Sequence, residues 1–159
     1  MDNLINLIDS KLSPLASWVG SNKPLRAVSN GFIAVMVASI VGSIFTLIVW
    51  LPFPGWTAWL QGNGLFAILS MPSQASLDLL ALFAVFFIAY NYAQEYDVDG
   101  GGAGLTALMS FFLVTGRTTF FSAAVDGAAV AAYSTAFLGA KGLFTAILIG
   151  LATARIYVF

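Results

Sequence analysis

Residues Gly31 to Leu51 read GFIAVMVASIVGSIFTLIVWL, a run with no charged side chain and rich in Ile, Val and Phe. At ~1.5 Å of rise per residue, such a run reaches across a ~30 Å hydrocarbon core and predicts a transmembrane helix. Pro52 and Pro54 should end it, since proline has no amide to continue the ladder, and Gly55 lets the chain turn. Looking outward, 51 consecutive positions between Arg26 and Asp78 carry no formal charge.

Composition points the same way. Of 159 residues, 60% are hydrophobic and 8% charged, against ~45–50% and ~25% in a soluble domain. The outer shell of a soluble core this size would need far more polar side chains. A soluble enzyme is excluded, and an all-α integral membrane protein is expected. The chain has neither His nor Cys, which removes disulfides, thiolate catalysis and Cys/His zinc sites. No metal site and no cofactor are expected. The net charge of −1 with no basic run gives nucleic acid nothing to bind. Asp2 and Asp9 stand where a secretory signal would be basic.

Three further spans follow. The second runs from about Ser76 to Gln94, bounded by Met71-Pro72-Ser73 and by the acidic, Gly-rich stretch from Glu95 to Gly102. Ser76 is expected to cap it, which places Asp78 in its first turn, where the macrodipole favours an anion. The third lies in the 17-residue uncharged window from Gly100 to Gly116, and the fourth runs from about Leu138 to Phe159. Lys11, Lys23 and Arg26 precede the first span, and the Pro52–Pro72 loop is uncharged, so the positive-inside rule places the N-terminus in the cytoplasm. Arg117 and Lys141 then lie outside, against that rule. Trp50, Trp56 and Trp59 cluster where an outer aromatic belt belongs.

Within residues 1–26, Ile5, Ile8, Leu12, Leu15 and Val19 form an amphipathic stripe that suits a helix at the cytoplasmic interface. Residues 27–159 form the membrane domain. In the 117–137 loop, Asp126-Gly127 between apolar flanks predicts a short hairpin or a re-entrant piece.

Motifs with chemistry are sparse. Glu95-Tyr96-Asp97-Val98-Asp99-Gly100 begins like an EF-hand loop, but Thr106 stands where its bidentate Glu is needed, so a solvated turn is expected. Gly100-Gly101-Gly102-Ala103-Gly104 lacks the spacing and the Lys-Ser/Thr ending of a phosphate loop and reads as a flexible turn. Gly31, Gly42 and Gly150 are small residues suited to close helix approach, and Ser39 and Ser43 mark a packing side near Gly42. Asp78, Arg117 and Asp126 are ionisable groups at or near membrane depth and hence candidate functional residues.

Several strings together resemble one family. Ser29-Asn30-Gly31-Phe32-Ile33-Ala34 with Ile40-Val41-Gly42-Ser43-Ile44-Phe45 is similar to the start of enzyme IIC, the membrane permease of the bacterial phosphoenolpyruvate-dependent sugar phosphotransferase system, in its lactose, cellobiose and diacetylchitobiose branch. Phe87-Ile88-Ala89-Tyr90-Asn91-Tyr92-Ala93 with Tyr96-Asp97-Val98-Asp99 and Ala103-Gly104-Leu105 resembles its turn between the second and third spans. Leu138-Gly139-Ala140-Lys141-Gly142-Leu143-Phe144-Thr145-Ala146-Ile147 and Arg155-Ile156-Tyr157 resemble its later hallmark. The chain departs from the family at Ser29-Asn30, where an Arg-Asp pair is common.

The resemblance implies a partial permease for disaccharide uptake in the bacterial cytoplasmic membrane. It implies a scaffold that forms a homodimer, joined by a C-terminal permease half that holds the sugar and by soluble IIA and IIB components. The chain would then be a natural truncation or a piece of a longer one, with no catalytic or sugar-binding residue of its own, although the parent system is a sugar phosphotransferase. The small-residue face around Gly42 would serve the dimer. The other reading is a stand-alone four-span scaffold or regulatory protein. A channel is disfavoured because no span carries a polar stripe or a charge suited to a ring.

Overall fold

A computed structural model describes residue 14 and residues 17–18, 20–116, 121–125, 128–132 and 137–159. The expected amphipathic stripe, Arg117 and Asp126 lie outside the described residues. Helix α1 spans Lys23–Val49, α2 Trp56–Gly62, α3 Leu65–Leu77, α4 Leu80–Gln94 and α5 Gly100–Gly116. Strands β1 (Phe121–Val125) and β2 (Ala128–Ala132) pair antiparallel, with Val125 opposite Ala128, followed by a 3-10 turn at Ala140–Gly142 and α6 at Leu143–Val158. Three apolar runs, Lys23–Val49, Leu65–Gln94 and Ala140–Val158, have the length to cross a bilayer, and α5 is a shorter apolar helix. All-α membrane architecture with a small hairpin is the fold.

Four local expectations are corrected. Helix α1 begins at Lys23, ahead of the apolar run, because Pro near a helix start loses no ladder bond and its fixed φ suits the first turn. The boundary between residues 26 and 27 therefore falls inside a helix. Pro72 does not bound the second span but sits inside α3, which continues past it to Leu77. Ser76 caps nothing, since its hydroxyl donates to the Pro72 carbonyl at 2.8 Å. Asp78 is at the C-cap of α3, not in the first turn of a helix.

The fourth correction concerns Gly100–Gly104, which begin α5 instead of forming a flexible turn. Asp99 caps that helix: its carboxylate accepts the Gly101 amide at 3.2 Å and the Gly102 amide at 2.8 Å. Its glycines admit neighbours. A Cβ at Gly100 would lie 2.8 Å from the Tyr90 ring, one at Gly104 2.6 Å from Phe86, and one at Gly102 would collide with the Tyr157 hydroxyl.

Helix α4 is the hub. Ala81, Ala84, Val85, Ile88, Ala89, Tyr92 and Ala93 are buried along it, and α1, α5 and α6 pack around it. Lys23 reaches Glu95, Gly31 faces Ile88 and Gly42 faces Ser76, so α1 runs antiparallel to α3 and α4. Gly100 and Gly104 against Tyr90 and Phe86 make α5 antiparallel to α4, whereas Gly142 near Ala81 and Gly150 near Ile88 make α6 parallel to it. An even number of crossings follows, with Lys23, Glu95 and Arg155 at one end. The outward sides of the helices are apolar: Val37, Leu47, Met109, Leu113 and Phe144 are each about two-thirds or more exposed. In water such a surface would aggregate; in a bilayer it meets lipid or another helix.

Candidate functional site: packing faces and the charged end

Two of the residues singled out from sequence form one packing seam. Gly31 lies so close to α4 that a Cβ would come within 2.7 Å of the Ile88 Cγ1 and 2.9 Å of its backbone nitrogen. Gly42 would meet the Ser76 Cβ at 2.8 Å. Both glycines therefore pack α1 within the chain. This corrects the expectation that the face around Gly42 serves a dimer, because that face is already covered. Ser39 and Ser43 donate to carbonyls of their own helix, Met36 and Ser39, at 2.8 and 2.7 Å. Their hydroxyls are spent locally and do not bridge helices.

Asp78 is exposed at the junction of α3 and α4 and is not brought together with Gly31 or Gly42. Gly150, also read from sequence as a close-approach residue, would place a Cβ 3.2 Å from the Val85 carbonyl oxygen. The residues missed from sequence are Gly100 and Gly104, which make contacts as close as those of Gly31 and Gly42. Their signal was present, since glycines four apart at the edge of an apolar window are a packing pattern.

Among the described residues, most charged side chains gather at one end of the bundle, with Asp78 and Lys141 lying away from it. The Arg26 Nη2 lies 3.1 Å from the Glu95 Oε1. The Lys23 ammonium donates to the Glu95 carbonyl at 2.7 Å and sits 4.0 Å from the centre of the Tyr96 ring. Tyr96 in turn packs on Tyr92 and on Phe159, with ring centres 5.2 and 5.5 Å apart, and Arg155 covers the Phe159 ring. The start of α1, the end of α4 and the end of α6 are thus tied together. Among the described residues, the buried Tyr92 hydroxyl has no partner within ordinary hydrogen-bond geometry. The neighbouring Tyr92 hydroxyl pushes the Tyr96 phenol above its usual pKa, helped by desolvation and by Glu95 and opposed by Arg155.

At the other end, Trp56 and Trp59 stack with centres 5.5 Å apart, and the Trp56 indole donates to the Ile48 carbonyl at 2.8 Å. This satisfies one of the carbonyls left over where α1 ends. Among the described residues, a shallow concavity of about 450 Å³ lies beside Phe53, Trp56 and Trp59, and another of about 230 Å³ lies between Val114, Thr115, Phe137 and Thr145. Neither of these two is lined by a carboxylate or an amine.

A hub helix wrapped by glycine-spaced helices, apolar outside and charged at one end, defines a multi-pass α-helical membrane domain. The chain belongs to the EIIC family of the phosphotransferase system, whose model, "Phosphotransferase system, EIIC", matches residues 29–159. It is 31% identical to a cellobiose-specific EIIC component of Geobacillus stearothermophilus, over 99% of this chain and 36% of that protein. It is also 31% identical to a lactose-specific EIICB component of Lactococcus lactis, over 99% of this chain and 27% of that protein. Among solved structures, it resembles the transporter ChbC, the IIC component of the N,N'-diacetylchitobiose-specific phosphotransferase system. The TM-score is 0.78 at 29% identity, over 95% of this chain and 36% of ChbC. The chain spans 27% to 36% of the length of these relatives.

Proposed function

We propose that the chain is the scaffold and dimerisation portion of a disaccharide permease in the bacterial phosphoenolpyruvate-dependent phosphotransferase system, with a cellobiose-, lactose- or diacetylchitobiose-like substrate. The observation that carries this reading is the structural match to ChbC over 95% of the chain. The sugar would be held by the remaining permease half, and phosphate would arrive through soluble IIA and IIB components. A lactose relative named an EIICB component supports the last point.

The N-terminus is cytoplasmic in this proposal. The gathering of Lys23, Arg26 and Arg155 at one end of the bundle favours that orientation. With the Gly31 and Gly42 faces occupied, the homodimer would use an outward face such as the stripe of Ile33, Val37, Ile40, Ile44 and Leu47, which is exposed along α1.

Light scattering in a mild detergent tests the dimer: a protein mass twice the 16.8 kDa of the chain is expected, and a strict monomer at high concentration overturns it. Calorimetry with cellobiose should give no binding heat, and micromolar affinity would refute the assignment of the sugar site to the other half.

A further inference from the structure

The long apolar run Leu65–Gln94 is interrupted, and a distant turn fills the interruption. Helix α3 stops at Leu77 and α4 starts at Leu80. The Asp78 amide still donates to the Gln74 carbonyl at 3.0 Å, and the ladder resumes when the Leu82 and Phe83 amides donate to Leu79 at 3.0 and 3.2 Å. Between them, the Ala81 amide leaves the helix and donates to the Leu138 carbonyl at 2.7 Å.

The following residues close over the gap. A Cβ at Gly139 would lie 3.3 Å from both the Leu77 and the Asp78 carbonyl oxygens. One at Gly142 would collide with the Phe137 carbonyl and reach 3.2 Å from the Ala81 Cβ. Both glycines have φ of −88°, so closeness and not a left-handed backbone requires them.

The depth of the break makes this contact matter. Leu77 lies against Gly42, which is sixteen residues beyond Arg26, or roughly 24 Å along the helix at ~1.5 Å per residue. Lipid at that depth offers no partner to an amide that has left its ladder. An inserted group is also a standard cause of a helix kink.

We infer that the Leu138–Gly142 turn is a latch that sets and holds the angle between α3 and α4. With the latch closed, the Leu138 carbonyl satisfies Ala81 and Gly139 fits against the end of α3. With it open, α3 swings on the Asp78–Leu79 joint and parts from Gly42 of α1. The contact of Gly31 with Ile88 keeps α1 on α4 throughout. The latch is independent of which sugar the permease carries and of the dimer.

The absence of cysteine allows the joint to be measured with introduced spin-label pairs in the full chain. Ile68→Cys with Met109→Cys reports α3 against α5, and Ile33→Cys with Met109→Cys reports the body that should not move; all three positions are well exposed. Gly139→Val should shift or broaden the first distance distribution by several ångströms, leave the second unchanged, and speed exchange of the Ala81 amide at least tenfold. Gly139→Ala should do the same in part, and it carries the test if the valine variant does not fold. An unchanged first distribution in a folded variant, an equal shift of both pairs, or unchanged Ala81 exchange overturns the latch.

Discussion

Replacing Gly31 with Ala adds one methyl group where the seam between α1 and α4 has no room. The new Cβ would stand 2.7 Å from the Ile88 Cγ1, 2.9 Å from its nitrogen and 3.0 Å from its Cα. The side-chain atom can rotate away, but the two backbone atoms cannot. Carbon contacts settle at ~3.5–4.0 Å, so α1 must retreat by roughly 0.5–1 Å at this crossing and loosen the contacts on either side. Overpacking of this kind costs about 1–3 kcal/mol, offset by up to ~1 kcal/mol from the better helix propensity of Ala. The net expectation is a loss of about 1–2 kcal/mol. Gly62→Ala is the control, because nothing lies within 4 Å of its added Cβ, and it should be neutral or slightly stabilising. Titrating SDS into mild-detergent micelles while following helicity gives both values. A Gly31→Ala protein as stable as the parent would refute the seam. Adding Ile88→Ala should recover only part of the loss, since the backbone contacts remain.

Asp99→Ala removes the cap from Gly101 and Gly102 and should cost about 1 kcal/mol, while Asp99→Asn should retain most of the stability; exchange rates of those two amides separate a lost cap from a general loosening. The Arg26–Glu95 pair, at 3.1 Å with Arg26 half exposed, should show a coupling of no more than ~1 kcal/mol in an Arg26→Ala, Glu95→Gln cycle and should weaken with salt.

Much of the fold was legible because charge is so scarce. The uncharged stretch after Arg26 located α1, and the window from Gly100 to Gly116 matched α5 to the residue. Asp126-Gly127 pointed to the hairpin that β1 and β2 form around it. Local signals misled where membrane and tertiary contacts outweigh propensity. Pro72 signals a stop in water, yet α3 runs through it, and the real break comes at Asp78–Leu79, where a carbonyl from Leu138 replaces a ladder bond. No local pattern announces that substitution, since its two halves are far apart in sequence. Likewise, Gly100–Gly104 look flexible until the Tyr90 and Phe86 rings that need their space are in view. The packing role of Gly31 and Gly42 was readable, but the partner was not: spacing shows that a face is small, not which helix covers it.

Both ends of the bundle's charged cluster should lie on the cytoplasmic face, with an even number of crossings between them. Single cysteines at Asp97 and Phe159 mark that end, and a cysteine at Asn63 marks the opposite one; all three positions are exposed. In intact spheroplasts, a membrane-impermeant maleimide should label position 63 and reach 97 and 159 only after lysis. Labelling of position 97 in intact spheroplasts, or protection of position 63 there, would contradict it.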